Sequence, residues 1–324
     1  MNGAAHNTIS VLVPAWNSKR RDELAACLGA IERQTLPAAE VIAVIDHNPE
    51  LLGWVREAFP RVKAVANAHD RGVVGARNTG VELAQAEIVV LTDDDTEAEP
   101  TWLAGLESCF ADPDVVGVTG ELLPSWSGAE PAWFPHEFYW VFGCSYAGLP
   151  TEVAPVRNPI AANMAVRRWA LQEIGGFRQG VPPRQIRHRG AVVAGGHALE
   201  DTELGIRIGR QWPQMKWLYQ PHATVHHRVN EEQATLGYLL RRSFEEGAAK
   251  AALAEAVGSQ DGLESERRHL LVVIPRGVLR GIGDLFRGRP AGLGRTAAIV
   301  LGIGAAAMGY AGAMLQGLLS GRGK

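Results

Sequence analysis

The feature of this chain that most constrains its fold is the alternation of strand-like and helix-like segments near its start. Continuous apolar runs cover residues 9–13, 41–45, 62–65 and 88–91, and helical spacing of apolar residues covers 22–34 and 75–86. Strands that alternate with helices in this way predict a mostly parallel central sheet with helices on both faces. We therefore expect an α/β, Rossmann-like domain.

Bulk properties narrow the class of protein. A length of 324 residues allows one large domain, or one domain with an appendage. A net charge of −3 gives no reason to expect nucleic acid as a partner. Cys27, Cys109 and Cys144 form no CxxC pair, which favours free thiols in a reducing compartment over a disulfide framework or zinc site. Residues 1–7 show no secretory signal, so we expect the α/β domain to stay in the cytoplasm.

Three adjacent carboxylates, Asp93, Asp94 and Asp95, follow the fourth apolar run. A strand that ends in this way places negative charge at the carboxyl edge of a sheet, where open α/β sheets bind ligands. Hard divalent ions such as Mg²⁺ and Mn²⁺ prefer oxygen ligands and often share their shell with substrate phosphates. Taken alone, the triplet fits a solvated acidic turn as well as a metal site.

Other motifs stand in a defined order around the triplet. Along the chain these are Val-Pro-Ala-Trp-Asn at 13–17, Asp46, Gly-Ala-Arg-Asn-Thr-Gly at 75–80, the Asp triplet, residues 163–168 and 175–177, and Glu200-Asp201. Together they resemble the family 2 inverting glycosyltransferases, whose nucleotide-sugar-binding fold is called GT-A. The resemblance covers roughly residues 8–250. Residues 163–168 and 175–177 are similar to the acceptor-side segment of that family.

The resemblance implies a donor-binding set at the start of the domain. Pro14, Ala15 and Asn17 match the first strand and turn of the family, which bind the nucleotide part of the donor. Asp46 and Arg77 would contact the nucleobase. The planar guanidinium of an arginine suits a base or a phosphate.

A metal-binding set is implied as well. Asp95 would ligate the divalent ion, Mn²⁺ or Mg²⁺, that bridges the donor diphosphate, with Asp93 supporting it and Asp94 near the ribose. Family members often place a metal-binding or phosphate-facing histidine at the position matched by His227, which we favour over the adjacent His226. A histidine on an apolar strand is otherwise usually a satisfied, half-buried side chain.

Asp201 is the candidate general base. In an inverting transfer the acceptor hydroxyl loses a proton as it attacks the anomeric carbon, and a carboxylate within hydrogen-bond reach accepts that proton. The start of a helix would help to keep Asp201 ionised. The alternative for Glu200-Asp201 is simple capping of that helix.

The middle section, residues 121–189, is rich in Pro, Trp and Gly, and we expect long substrate-selecting loops there. Its aromatic residues fit sugar stacking and core packing equally well. Residues 238–252 resemble a segment of family members that act on lipid-linked or cell-envelope acceptors. The Gln-x-x-Arg-Trp signature of polymer-making members does not occur, so transfer of a single sugar is expected.

The C-terminus differs in kind from the rest of the chain. Residues 296–319 contain no charged residue, and at helical rise they would cover about 36 Å, enough for a hydrocarbon core of ~30 Å. The arginines within 270–289 favour membrane attachment, by an interfacial helix or a single span. The alternative is a small-residue helix packed on protein. Arginines before the segment would hold the enzyme at the cytoplasmic face, although Arg322 and Lys324 follow it.

We therefore expect a GT-A catalytic domain over residues 1–257 and a membrane-associating region over 258–324. The expected reaction is transfer of one sugar from a nucleotide-diphosphate sugar to a hydroxyl of a lipid-linked or envelope glycan. We expect the nucleotide of the donor to be UDP. A nucleotide-sugar-binding protein without catalysis and a polyprenyl-phosphate glycosyltransferase are the alternatives. A polyprenyl phosphate needs no general base, so the Glu200-Asp201 pair favours a hydroxyl acceptor.

Overall fold

The computed structural model describes residues 7–178, 186–188, 191–193, 199–257 and 267–321. Part of the middle section predicted to be looped, including Arg189, and the terminal Arg322 and Lys324 lie outside the described residues. The chain forms two compact units. The first contains the described residues within 1–123, 150–178 and 204–228, and the second contains those within 124–149, 179–203 and 229–324.

The first unit is built on a mixed β-sheet. The described strands are β1 Ile9–Ala15, β2 Glu40–Ile45, β3 Lys63–Ala66, β4 Ile88–Thr92, β5 Thr96–Ala98, β6 Val115–Trp126, β7 Ala154–Val156, β8 Asn163–Arg167, β9 Ile186–His188, β10 Ala191–Val193 and β11 Lys216–Val229. The main sheet has the order β3-β2-β1-β4-β8-β6-β11-β5, with β7 paired to β11. β9 and β10 form a separate antiparallel pair that belongs to the second unit.

Only one half of the main sheet is parallel. β1 pairs in parallel with β2 and β4, and β2 with β3, as the alternating pattern predicts. β8 pairs antiparallel with β4 and with β6, and β5 and β7 pair antiparallel with β11. The expectation of long loops throughout 121–189 is therefore wrong for β8. This strand has only five residues and runs directly into the short helix Arg168–Glu173, so each element gives too short a periodic signal to detect.

Helices cover both faces of this sheet, as predicted. The described α-helices are α1 Arg21–Glu32, α2 Pro49–Ala58, α3 Val73–Leu83, α4 Trp102–Ser108, α5 Arg168–Glu173, α6 Glu200–Gln211, α7 Leu236–Val257, α8 Ile274–Phe286 and α9 Ala291–Gly321. Helix α2 was missed in the sequence, although Pro49 at its first turn and the Asn48 side chain, which accepts from Leu51 N, are ordinary start signals.

Alternation along the strands supplies two apolar cores. Val11 and Val13 of β1 point to the core formed with α1, α2 and α4. Leu12 points to the opposite core, which is formed with α3, α5 and α6. Burial on both faces explains why β1 reads as a continuous apolar run, and it holds the carboxyl ends of β1, β2 and β4 in fixed register.

The second unit is mainly helical and contains α7, α8 and α9. A π-helical turn, His269–Val273, leads into α8. Trp126, Phe134, Tyr139 and Phe142 pack edge-on or tilted against one another, with ring centroids 4.8–6.3 Å apart. This aromatic set is therefore core packing of the unit. Among the described residues, α9 is the helix long and apolar enough to cross a membrane by length and composition.

Candidate metal and nucleotide site

Two aspartates and a histidine meet just beyond the carboxyl end of β4. The ligand atoms of Asp93, Asp95 and His227 lie within 4.8 Å of one another. Asp93 and Asp95 follow β4 directly, and His227 reaches them because β11 pairs with β5, placing His227 opposite Thr96. Nε2 of His227 lies 3.2 Å from Oδ1 of Asp95. Two carboxylates and an imidazole form a donor set that suits a divalent ion.

Strand alternation separates the two adjacent histidines. His227 is directed to Asp95, whereas Nε2 of His226 lies 3.1 Å from Oε1 of Glu99. Neighbouring residues of a strand point to opposite faces, so the two side chains serve different surroundings. The preference for His227 over His226 agrees with this geometry.

Arg20 also reaches the aspartates, and the sequence reasoning missed it. Its Nη1 lies 2.8 Å from Oδ2 of Asp95 and 3.3 Å from Oδ1 of Asp94. The side chain of Asn17 accepts from Lys19 N and so caps the short turn Ser18–Arg20. Asn17 therefore helps to position Arg20. The run Ser-Lys-Arg-Arg at 18–21, which begins three residues after the end of β1, was the available signal, because β1 pairs with β4.

The pKa values of Asp94 and Asp95 are shifted in opposite directions. Burial raises the pKa of Asp94 to about 7, and the charge of Asp95 adds to that effect. Burial alone would also raise the pKa of Asp95, but the hydrogen bond and charge of His227, with the charge of Arg20, outweigh it and lower that pKa. Oδ2 of Asp94 is buried and has no hydrogen-bond partner among the residues that the structure describes. A pair in which one carboxylate stays ionised is suited to hold a cation.

Asp46 organises the loop before α3. Its Oδ1 accepts from Asn67 Nδ2 at 2.7 Å and lies 2.7 Å from Nδ1 of His47, and its Oδ2 accepts from Gly72 N at 2.9 Å. Burial would raise the pKa of Asp46, but the hydrogen bonds from Asn67, His47 and Gly72 outweigh it and lower the pKa. Asp46 is thus an ionised anchor for the segment that leads to Arg77.

The Gly-Ala-Arg motif is shaped by close backbone packing. A Cβ at Gly75 would collide with the carbonyl oxygen of Asp70, which explains the glycine. Arg77 is 4 % exposed, and its Nη2 lies 3.2 Å from Oδ1 of Asp93. Its guanidinium also lies 5.6 Å from the ring centroid of Phe177. Arg77 therefore joins the Gly-Ala-Arg motif to the aspartate cluster.

Residues 175–177 contact the Gly-Ala-Arg-Asn motif, although Phe177 and Asn78 are 99 positions apart in the sequence. Asn78 Nδ2 donates to Phe177 O at 2.9 Å, and Phe177 N donates to Asn78 Oδ1 at 2.8 Å. Gly176 has φ +68° and passes so close to Asn78 that a side chain would clash. These contacts fix Phe177 beside Arg77.

Asn163 is the first residue of the segment that resembles the acceptor side of the family. Its side chain connects several strands and a helix through hydrogen bonds. It is fully buried, its Oδ1 accepts from Trp102 Nε1 at 2.7 Å, and its Nδ2 donates to Glu121 O at 2.8 Å and Ala223 O at 2.9 Å. These bonds join β8 to its surroundings in the middle of the sheet.

Three further candidates were predicted from the sequence. Pro14 and Ala15 end β1, with Ala15 buried and Pro14 half-buried. Asp201 lies in the first turn of α6, and its Oδ1 accepts from Thr202 N at 2.6 Å. That turn belongs to the second unit, so the role of Asp201 stays a prediction.

Comparison with known proteins identifies the family. The model of the glycosyl transferase family 2 domain matches residues 10–175, more than half of the chain. The chain belongs to glycosyl transferase family 2. It is similar to the glucosyl-dolichyl phosphate glucuronosyltransferase of Haloferax volcanii, with 29% identity over 249 residues, 76% of this chain and 77% of that protein.

Solved structures show that this glycosyltransferase has the GT-A fold. The mannosyltransferase PcManGT from Pyrobaculum calidifontis, in complex with GDP-Man and Mn²⁺, matches with a TM-score of 0.61 and 18% identity over 95% of this chain and 88% of that chain. GalNAc-T7 with UDP, GalNAc and Mn²⁺ matches with a TM-score of 0.53 and 14% identity over 89% and 59% of the two chains.

Proposed function

We propose that this enzyme is a metal-dependent, inverting transferase that moves one sugar from a nucleoside diphosphate sugar to a hydroxyl of a lipid-linked or envelope glycan. The observation that carries the proposal is the cluster of Asp93, Asp95 and His227 at the carboxyl end of β4. Residues 1–257 would form the catalytic domain and residues 258–324 the membrane-associating region.

The cluster would hold a divalent ion, with Mn²⁺ favoured over Mg²⁺ because an imidazole nitrogen joins the carboxylate oxygens. Such an ion offsets the negative charge that develops on a departing nucleoside diphosphate. Asp95 and His227 would be its main ligands, and Asp93 would support it. The fit of these residues is supported by the low pKa of Asp95, because a metal ligand must be ionised.

The donor nucleotide would lie between the Asp46 loop and the aspartates. Arg77 would contact the nucleobase from its fixed position beside Phe177. Asp46 retains a second lone pair on Oδ2 for a donor of the base. Pro14, Ala15 and Asn17 would line the same region. The unpartnered Oδ2 of Asp94 supports a contact with a ribose hydroxyl. UDP is the donor nucleotide that we would test first, and GDP is the alternative.

Asp201 would accept the proton of the acceptor hydroxyl as that oxygen attacks the anomeric carbon from the face opposite the diphosphate. Its place in the first turn of α6 supports this role, because a carboxylate can accept a proton directly from a hydroxyl within hydrogen-bond reach. A carboxylate base is needed only for a hydroxyl acceptor, since a polyprenyl phosphate is already anionic.

A lipid-linked acceptor is supported by the relative from Haloferax volcanii, whose name describes transfer to a sugar carried on dolichyl phosphate. The apolar helix α9 supports membrane association through the C-terminus. We place the enzyme at the cytoplasmic face of the cell membrane.

The decisive experiment is release of nucleoside diphosphate from a panel of UDP- and GDP-linked sugars with Mn²⁺, in the presence of either a lipid-linked sugar or a polyprenyl phosphate. We expect turnover with the lipid-linked sugar, and loss of turnover in Asp95→Asn and Asp201→Asn. Glu203→Gln, in the same first turn of α6, is the matched control. Equal turnover in all four proteins would refute the assignment. Donor binding without turnover would favour a non-catalytic binding protein, and turnover of polyprenyl phosphate that survives Asp201→Asn would favour the other alternative.

A further inference from the structure

One long side of α9 is exposed and entirely apolar. Its large exposed residues are Leu293, Val300, Leu301, Met308, Met314 and Leu315, with exposures of 43–63%. From the first to the last they extend over about 33 Å of helix. The residues between them on this side are alanine and glycine. An apolar surface of this length on a soluble protein marks an interaction site.

The opposite side of α9 packs against α7. A Cβ at Gly309 would collide with the carbonyl oxygen of Phe244, and a Cβ at Gly247 would collide with the carbonyl oxygen of Ala306. Ala313 packs with Ala248 and Ala251 in a buried cluster. The two backbones therefore touch along the middle of both helices.

Helix α7 is charged where it meets α9. Arg241, Arg242, Glu245, Glu246 and Lys250 lie within ten positions around the contact. Arg242 and Glu245 form a buried ion pair at 3.1 Å, and the Arg241 side chain is 55% exposed. If α9 crossed a bilayer with α7 packed against it, the charged residues of α7 would lie within about 9 Å of the centre of the bilayer. Charged side chains at that depth are strongly disfavoured.

Helix α8 adds a second apolar surface beside α9. Glycines bring the two helices together, since a Cβ at Gly281 would collide with the Thr296 side chain. Leu279 is 67% exposed and Phe286 is 85% exposed. The stretch 267–317 carries seven arginines and one carboxylate, Asp284, although the whole chain has a net charge of −3. Apolar side chains among arginines suit the interface of an anionic bilayer.

We propose that α8 and α9 lie in the plane of one leaflet of an anionic membrane and do not span it. The exposed side of α9 enters the acyl region while α7 stays packed on its inner side, outside the hydrocarbon. The amino and carboxyl ends of the chain are then on the same side of the membrane. This inference rests on the membrane association in the proposed function and specifies its geometry.

The topology is tested with the full chain carrying one epitope tag at each end, in sealed inverted membrane vesicles treated with protease. We expect both tags to be digested without detergent. Digestion of the first tag with protection of the last would show a span and overturn the proposal, as would recovery of the protein only in the soluble fraction. Protection of both tags would support the in-plane arrangement and contradict the cytoplasmic location. The experiment therefore tests the in-plane geometry and the side of the membrane separately.

Binding is tested by flotation of the purified chain with vesicles that contain phosphatidylglycerol. The double change Leu301→Glu with Met308→Glu alters only exposed positions and should lower the partition coefficient at least tenfold. Val153→Glu, at a position 47% exposed in the first unit, is the matched control and should bind as the wild type does. Equal binding of all three proteins would overturn the assignment of this surface. Circular dichroism establishes that each protein is folded.

Discussion

The guanidinium of Arg20 lies 2.8 Å from the same Asp95 carboxylate that receives Nε2 of His227 at 3.2 Å. Both oxygens of Asp95 are therefore engaged by cationic or potentially cationic groups. An ion that binds Asp95 competes with Arg20 for negative charge.

Replacing Arg20 should strengthen metal binding in the absence of nucleotide. Arg20→Gln removes a competing cation at a half-exposed position, so the dissociation constant for Mn²⁺ should fall about threefold to tenfold, or ~1 kcal/mol. Titration of the purified protein with Mn²⁺, followed by electron paramagnetic resonance, measures this. Arg33→Gln is the control, because its ion pair with Glu97 is long, at 3.8 Å, and exposed. Weaker binding in Arg20→Gln would show instead that Arg20 positions the carboxylate.

The two neighbouring histidines should respond differently to the same change. His227→Gln removes an imidazole nitrogen from the cluster and should weaken Mn²⁺ binding by on the order of tenfold or more. His226→Gln removes only a contact to Glu99 and should leave the dissociation constant unchanged. Calorimetric titration compares the two variants directly. If His226→Gln weakened binding as much as His227→Gln, the site would not be the one described.

Asn78, which follows Arg77 in the Gly-Ala-Arg-Asn motif, should matter for stability although its side chain is polar. Asn78→Ala leaves the N–H and the carbonyl oxygen of Phe177 without their partner, which should cost about 2–4 kcal/mol of unfolding free energy. Urea unfolding measures the change. Asn230→Ala is the control, since Asn230 is exposed and its side-chain oxygen accepts a long hydrogen bond, at 3.3 Å from Ser127 Oγ. A loss below about 0.5 kcal/mol for Asn78→Ala would contradict the pairing.

Asp94 should make the metal-free protein less stable as the pH rises. Its pKa is raised to about 7 in the folded state, so between pH 4 and 7 the folded protein holds a proton that the unfolded chain has released. This contribution to stability is complete below the unfolded pKa and is lost as the pH passes through 7, with an upper limit of about 4 kcal/mol.

Asp94→Asn removes that titration. The unfolding free energy of this variant, measured in urea with EDTA at pH 5 and pH 8, should fall less between the two values than that of the wild type. An unchanged difference between pH 5 and pH 8 would show that Asp94 does not carry the dependence.

The sequence by itself determined the parallel half of the sheet, the place of the Asp triplet at the end of β4, and the family. These follow from local patterns, because a strand buried on both faces reads as an apolar run and motif residues keep their order along the chain. Helix α2 belongs in this group as well, since its start signals at Asn48 and Pro49 were present and overlooked.

Only the tertiary structure decided which side chains meet. The choice of His227 depends on the register of β11 against β5, and the contact of Arg20 with Asp95 depends on β1 lying beside β4. Asn78 and Phe177 are 99 positions apart, and no local periodicity links them. For α9, composition left a span, an interfacial helix and a packed helix open. The charged helix α7 packed along it favours the interfacial arrangement, because a charge in hydrocarbon is strongly disfavoured, whereas insertion of one apolar side into a single leaflet is favourable.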